Sequence, residues 1–201
     1  MQPAMQRPKL VTPPAQPVVT LDEAKAHCYV EHGEHDALIT SLVAAATSHL
    51  DGWSGILGRC LVNQQWSVAF GGFPYDRYLR LPFPDVDPDS VTVSYFDSDN
   101  QEQVLPADRW HLAEMASGSR LMLAQMWFWP SVCDQPDAVT VTFTAGYGAL
   151  GSDVPDAIRH AILLLVGHFY ENREAVTVGV TATDLPLGVD RLISGYRRVS
   201  I

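Results

Sequence analysis

Cysteine is scarce. Among 201 residues there are three, Cys28, Cys60 and Cys133, and no two are spaced as C-x-x-C. An odd count without paired spacing argues against a disulfide framework and points to a reducing cytoplasm. Basic residues are also few: 13 Lys and Arg stand against 23 Asp and Glu, a formal net charge of −10. That argues against a nucleic-acid binder, which needs clustered cations to neutralise phosphates. It is compatible with a surface past which duplex DNA slides, because acidic groups repel the phosphate backbone. Long hydrophobic runs are missing. The longest, residues 161–167, falls well short of the roughly 20 residues that span a bilayer. Residues 1–18, rich in Pro and Gln, lack the apolar segment of a signal peptide. No membrane partner is expected.

Catalytic signatures are lacking too. The chain carries no G-x-S-x-G elbow, no H-E-x-x-H and no P-loop. Thr144-Ala145-Gly146-Tyr147-Gly148 leaves a predicted strand, but it has neither dinucleotide-loop spacing nor a following Lys. It reads as a strand exit that needs positive φ at a glycine. His27, Cys28, His32 and His35 lie within nine residues. Zinc needs four converging ligands, and adjacent helical residues point about 100° apart. A polar turn between helices accounts for these four side chains better. Glu171, Arg173 and Glu174 read as the ion-paired end of a helix rather than an acid–base pair. The expectation is no enzymatic activity, no cofactor and no metal.

What is present fits one folded domain. Hydrophobic residues make up 47% and charged residues 18%, too apolar for disorder, and the length allows a sizeable core. Residues 1–17 read as a flexible, Pro-rich arm, with order from Thr20. Thr20-Leu21-Asp22-Glu23 fits a capping box and predicts a short helix to about Tyr29. Leu38, Ile39, Leu42, Val43, Ala46, Leu50 and Trp53 fall on one face of a second helix, about 36–53. Period-2 alternation then takes over at Trp66–Phe70, Val91–Tyr95 and Val139–Phe143. Asp97-Ser98-Asp99-Asn100 marks the turn of a hairpin over 91–105. Shorter strands are expected at 78–81, 110–112 and 120–123. Residues 65–144 thus form a small, mainly antiparallel β lobe. Helical period returns after Asp153, a candidate cap, with Pro155 suited to a first turn. Ile158, Ala161, Ile162, Leu165 and Phe169 line one face, and Leu163, Leu164 and Val166 extend the apolar surface round the helix. Such a helix is buried on several sides. Pro186 precedes a last helix, about 189–196. The fold class is α+β, a helical core with an inserted antiparallel β lobe.

Two segments are candidates for contact with other molecules. Trp127-Phe128-Trp129 places three aromatics in a row, and no regular element buries three consecutive side chains on one face. One is expected to face away, so Trp127 and Trp129 are candidate anchors for a neighbour, with a locally packed loop as the alternative. Residues 175–183 carry no charge. They read either as a mobile surface loop or as a segment that adds as a strand to a partner, through Val176, Val178 and Val180. Arg191, Arg197 and Arg198 form a basic patch suited to an acidic neighbour.

From about Val18 onward the chain resembles the head–tail connector, or adaptor, proteins of long-tailed phages, prophages and gene-transfer agents. The strings that carry the resemblance are residues 21–25 (LDEAK), 36–39 (DALI), 144–148 (TAGYG), 154–155 (VP), 161–174 (AILLLVGHFYENRE) and 185–189 (LPLGV), in that order. The resemblance implies a ring, commonly of twelve copies, in the virion neck beneath the portal. It implies partners in other copies of itself, in the portal protein and in the next neck or tail-completion protein, with duplex DNA passing through the ring without specific binding. Assembly would take place in the host cytoplasm. Portal docking would fall on residues 187–201, through Leu187, Arg191, Tyr196, Arg197, Arg198 and Ile201. The alternatives are a head-closure or tail-completion protein, or a small bacterial enzyme or ligand-binding domain.

Overall fold

The computed structural model describes residues 2–115, 118–172 and 187–198. The chain divides into two compact units, one of residues 1–15, 63–147 and 199–201, the other of 16–62 and 148–198. The expected single domain over 18–201 is therefore divided, with the β lobe as a unit of its own.

Among its described residues the β unit holds eight strands: β1 (Lys9–Thr12), β2 (Gln64–Phe70), β3 (Tyr78–Arg80), β4 (Thr92–Phe96), β5 (Glu102–Val104), β6 (Trp110–Met115), β7 (Gly118–Leu123) and β8 (Val139–Ala145). They make two antiparallel sheets, ordered β1-β2-β8-β4-β5 and β3-β7-β6. Alternation decides which face is buried. In β2 Gln64, Trp66, Val68 and Phe70 point inward, and in β8 Val139, Val141, Phe143 and Ala145 do. The register sets Trp66 opposite Phe143, Val68 opposite Val141 and Phe70 opposite Val139. Buried residues thus meet buried residues across the two central strands. Phe83 completes an aromatic group, its ring 4.9 Å from Trp66 and 6.3 Å from Phe143.

Residues 1–17 contradict the expected flexible arm. Lys9–Thr12 pairs with β2, Met5 bridges Phe70, and the Gln6 amide donates to the Ala69 carbonyl at 2.8 Å. Part of the backbone of this stretch hydrogen-bonds to the sheet, so order begins well before Thr20. Pro3, Pro8, Pro13 and Pro14 flank the paired residues, where an edge strand tolerates a missing donor.

The helical unit contains α1 (Leu21–His27), α2 (Asp36–Leu50), α3 (Asp156–Glu171) and α4 (Leu187–Ile193). α1 begins as expected. The Thr20 hydroxyl accepts from the Glu23 amide at 3.2 Å, and the Glu23 carboxylate accepts from the Thr20 amide at 2.8 Å. α2 ends at Leu50 rather than Trp53, because Asp51 turns extended and its carboxylate accepts from the Leu61 amide at 2.7 Å. Its buried face is Ile39, Val43, Ala46 and Leu50; Trp53 is 39% exposed. Asp153 does not cap α3. It closes a single 3-10 turn, Gly151–Asp153, by accepting from the Leu150 amide at 2.9 Å. Pro155 stands at the N-cap of α3, whose buried residues are Ile158, Ala161, Ile162, Leu165 and Val166. α3 packs against α1, α2 and α4, which accounts for its broad apolar surface.

The capping box has a measurable pH signature. The backbone hydrogen bond from Thr20 holds the Glu23 carboxyl below its ordinary value of 4.5, and the ion pair with Arg159 acts in the same direction. A depressed folded-state pKa contributes stability that is present above the unfolded value and lost as pH falls through the folded one. Thr20→Ala removes the hydroxyl and keeps the donating amide, so it is expected to cost about 1 kcal/mol at pH 7; Glu23→Gln removes the titrating group and is expected to flatten the acid limb below about pH 4.5. Urea midpoints measured across pH 3–7 check both; an unchanged acid limb in Glu23→Gln would contradict the assignment.

Candidate interaction surfaces

Among the described residues no group of three or more His, Cys, Asp or Glu is placed to hold a metal ion. The histidines between α1 and α2 are engaged in local packing instead. The His35 Nδ1 lies 2.6 Å from the Tyr170 hydroxyl, and the His32 ring meets that of His35 edge-on at 4.7 Å. His27 faces His160 in the same manner at 6.2 Å. Lys25 pairs with Asp36 at 2.6 Å. Gly146 leaves β8 with φ of 151°, the conformational role read from the TAGYG string. An apolar pocket of about 410 Å³ in the helical unit is lined by Pro17, Val19, Leu21, Val43 and Ala44 among others. It suits an apolar side chain and offers no acid–base pair.

The aromatic triplet divides differently from expectation. Trp129 is locally packed: its ring stacks on Phe73 at 4.8 Å with 6° between planes, and its indole N–H donates to the Asp76 carbonyl at 2.9 Å. Trp127 lies under Arg109, whose guanidinium carbon is 4.0 Å from the ring centroid. Phe128 is the residue that faces out, at 83% exposure, beside Met126 at 93%. Met126 also takes a positive φ of 66°. The sequence expectation fell on the two tryptophans, whereas the most exposed side chains of this stretch are Phe128 and Met126. Strict alternation would have pointed to the middle residue. Phe128→Ala is expected to shift stability by less than about 0.5 kcal/mol, and Trp129→Ala to cost about 1–3 kcal/mol through lost stacking and burial. Thermal unfolding of both variants separates an outward anchor from a packing residue.

The C-terminal helix is pinned by one face. Val189 and Ile193 are fully buried, one turn apart, and the Arg198 amide donates to the Leu57 carbonyl at 2.9 Å. That attachment leaves Asp190, Arg191 and Arg197 exposed, with Tyr196 and Arg198 half-buried. Arg197 pairs with Asp190 at 2.6 Å. The basic patch is therefore smaller than its three arginines suggest. Leu187 belongs to α4, but its side chain lies outside the described residues, as do Ile201, Val176, Val178 and Val180.

No protein-family model matches this chain, and no curated protein matches it. Solved structures do. A chain in the neck of an empty gene transfer agent (GTA) particle computed with C6 symmetry shares its fold with a TM-score of 0.78 at 22% identity. The virion of a native GTA particle contains a chain with a TM-score of 0.76 at 24% identity. The neck of a native GTA particle computed with C12 symmetry contains one with 0.71 at 21%. In each case the match covers 98% of this chain and 97% of the other. At such identities the likeness is one of fold, carried from end to end of the chain.

Proposed function

We propose that this protein is a structural subunit of a phage-type neck, a ring-forming head–tail connector that joins the portal to the next neck or tail-completion protein around the DNA channel. The observation that carries the reading is the end-to-end fold match to chains of GTA necks and virions, with neither chain left with an unmatched domain. Mechanism then rests on surfaces rather than reactive groups. Lateral contacts remove apolar area from water at about 25 cal/mol per Å2. Repetition round a closed ring turns weak single contacts into a stable joint. The charge of −10 disfavours lasting contact with the phosphate backbone, so DNA moves through without being held.

Co-sedimentation of the full chain with portal rings from its own particle tests the reading. Bound protein in a fixed ratio to portal, visible as an added ring by electron microscopy, is the expected result. Failure to bind, together with complete and infectious particles formed in its absence, would overturn it. Association with the tail terminator but not the portal would move it to another neck position.

A further inference from the structure

Among the described residues the five-stranded sheet has two open edges, and they carry opposite charge. β1 forms one edge and β5 the other. Every residue of both strands is exposed, including Leu10 at 47%, Val11 at 51% and Val104 at 63%. Residues 1–21 contain Arg7 and Lys9 and no acid. Glu102 in β5 and Asp99 in the turn before it are both exposed. Asp97 has a different task. Its carboxylate accepts from the amides of Asp99 and Gln101 at 3.0 and 2.9 Å and so shapes the turn before β5. Among the described residues β1 pairs with β2 alone and β5 with β4 alone. Half of the backbone groups in each edge strand therefore point away from the sheet.

The register places the charged residues on a common face. Lys9 lies opposite Ser67, Ser67 opposite Thr142, and Thr142 opposite Thr92. From Thr92 the same face continues through Ser94 and Phe96, which lie opposite Val104 and Glu102. Lys9 at one edge and Glu102 at the other thus look the same way.

Strand direction adds a second constraint. All four pairings in this sheet are antiparallel, so with five strands β1 and β5 run in the same direction. Two copies meeting β1 to β1, or β5 to β5, would set like charges together. Meeting β1 to β5 sets Arg7 and Lys9 against Asp99 and Glu102. That joint is head-to-tail: each copy keeps one edge for each neighbour, and repetition closes a ring. Neighbours in a many-membered ring differ by a small rotation, so the joined strands run near parallel.

We propose that the acidic β5 edge of one copy adds as a strand to the basic β1 edge of the next. The proposal rests on the ring reading above and assigns one lateral contact within it. β5 has three residues, so the joint makes few main-chain hydrogen bonds. Its area falls well below the roughly 800 Å2 per partner of a stable interface. Two isolated copies do not stay together through it; copies already held in a ring do.

The test is a charge swap in the full chain, with ring formation followed by sedimentation velocity and electron microscopy, on portal rings if the free protein stays monomeric. R7E/K9E and D99K/E102K each make both edges alike in sign, and each is expected to raise the concentration for half-assembly about tenfold or more. The combined variant R7E/K9E/D99K/E102K restores opposite signs and is expected to return to within about threefold of wild type. All four positions are exposed, so circular dichroism should match throughout. Wild-type rings that tolerate both single-edge variants, or a combined variant that stays defective, would overturn the edge joint and leave the ring reading intact. A wild-type chain that forms no ring even on portals would remove both.

Discussion

Phe143→Ala is expected to destabilise the β unit by about 3–5 kcal/mol, the range for emptying a fully buried aromatic site. Phe143 is 0% exposed in the central strand of the five-stranded sheet. It lies opposite Trp66, and its ring is 6.3 Å from that of Phe83, itself fully buried. Its two aromatic neighbours, Trp66 and Phe83, are large and already packed on each other, with ring centroids 4.9 Å apart. The void therefore stays largely open, and the cavity cost adds to the lost transfer energy. Thr142→Ala is the matched control. Thr142 points to the other face of the same strand and is half-buried, so a change of less than about 1 kcal/mol is expected. With a stability of about 5–15 kcal/mol typical of a folded domain, the Phe143 variant loses a large share of the whole. Urea unfolding, with amide exchange read in β2 and β8, makes the comparison. Equal midpoints for the two variants would mean that the aromatic group is not the centre of this unit.

How far the sequence foretold this fold depended on how local the cause was. The capping box at Thr20 and Glu23 was legible because both halves lie within four residues and bond each other. The hairpin around Asp97 was legible for the same reason. β1 was not. Lys9-Leu10-Val11-Thr12 sits among prolines, buries nothing, and takes its structure from β2, whose paired residues are more than fifty positions away. The aromatic triplet falls between these cases. Its crowding showed that one ring must turn out, but the choice of Phe128 depended on Phe73 and Asp76, which receive Trp129 from across the β unit. Asp153 had the right residue type for a helix cap, and the 3-10 turn took it because its carboxylate reaches the Leu150 amide first. The α+β class, the β insert and the apolar α3 survived these differences, since each rests on a pattern repeated over many residues rather than on one side chain.

Arg191→Glu is expected to reduce co-sedimentation with portal rings at least about tenfold while leaving the melting temperature unchanged. The helix that carries it is attached by Val189 and Ile193, both fully buried, and Arg191 projects from the opposite, exposed side. Arg197 is a poorer probe, because its reversal would set a carboxylate against Asp190 at their present 2.6 Å contact and disturb the helix itself. Truncation before Leu187 is poorer still: it removes two core side chains along with the charges, so lost binding could reflect a loosened helical unit. A single exposed charge at a contact rim is worth only about 0.2–1 kcal/mol, too little to matter between two isolated molecules. Round a ring the same deficit recurs in every copy, and multivalent attachment converts small per-copy losses into a large change in occupancy. Association should accordingly weaken with salt in the wild type, and less steeply in Arg191→Glu. If the variant binds portals as the wild type does at low salt, while Phe128→Ala abolishes binding, the docking face belongs to the β unit and α4 serves packing alone.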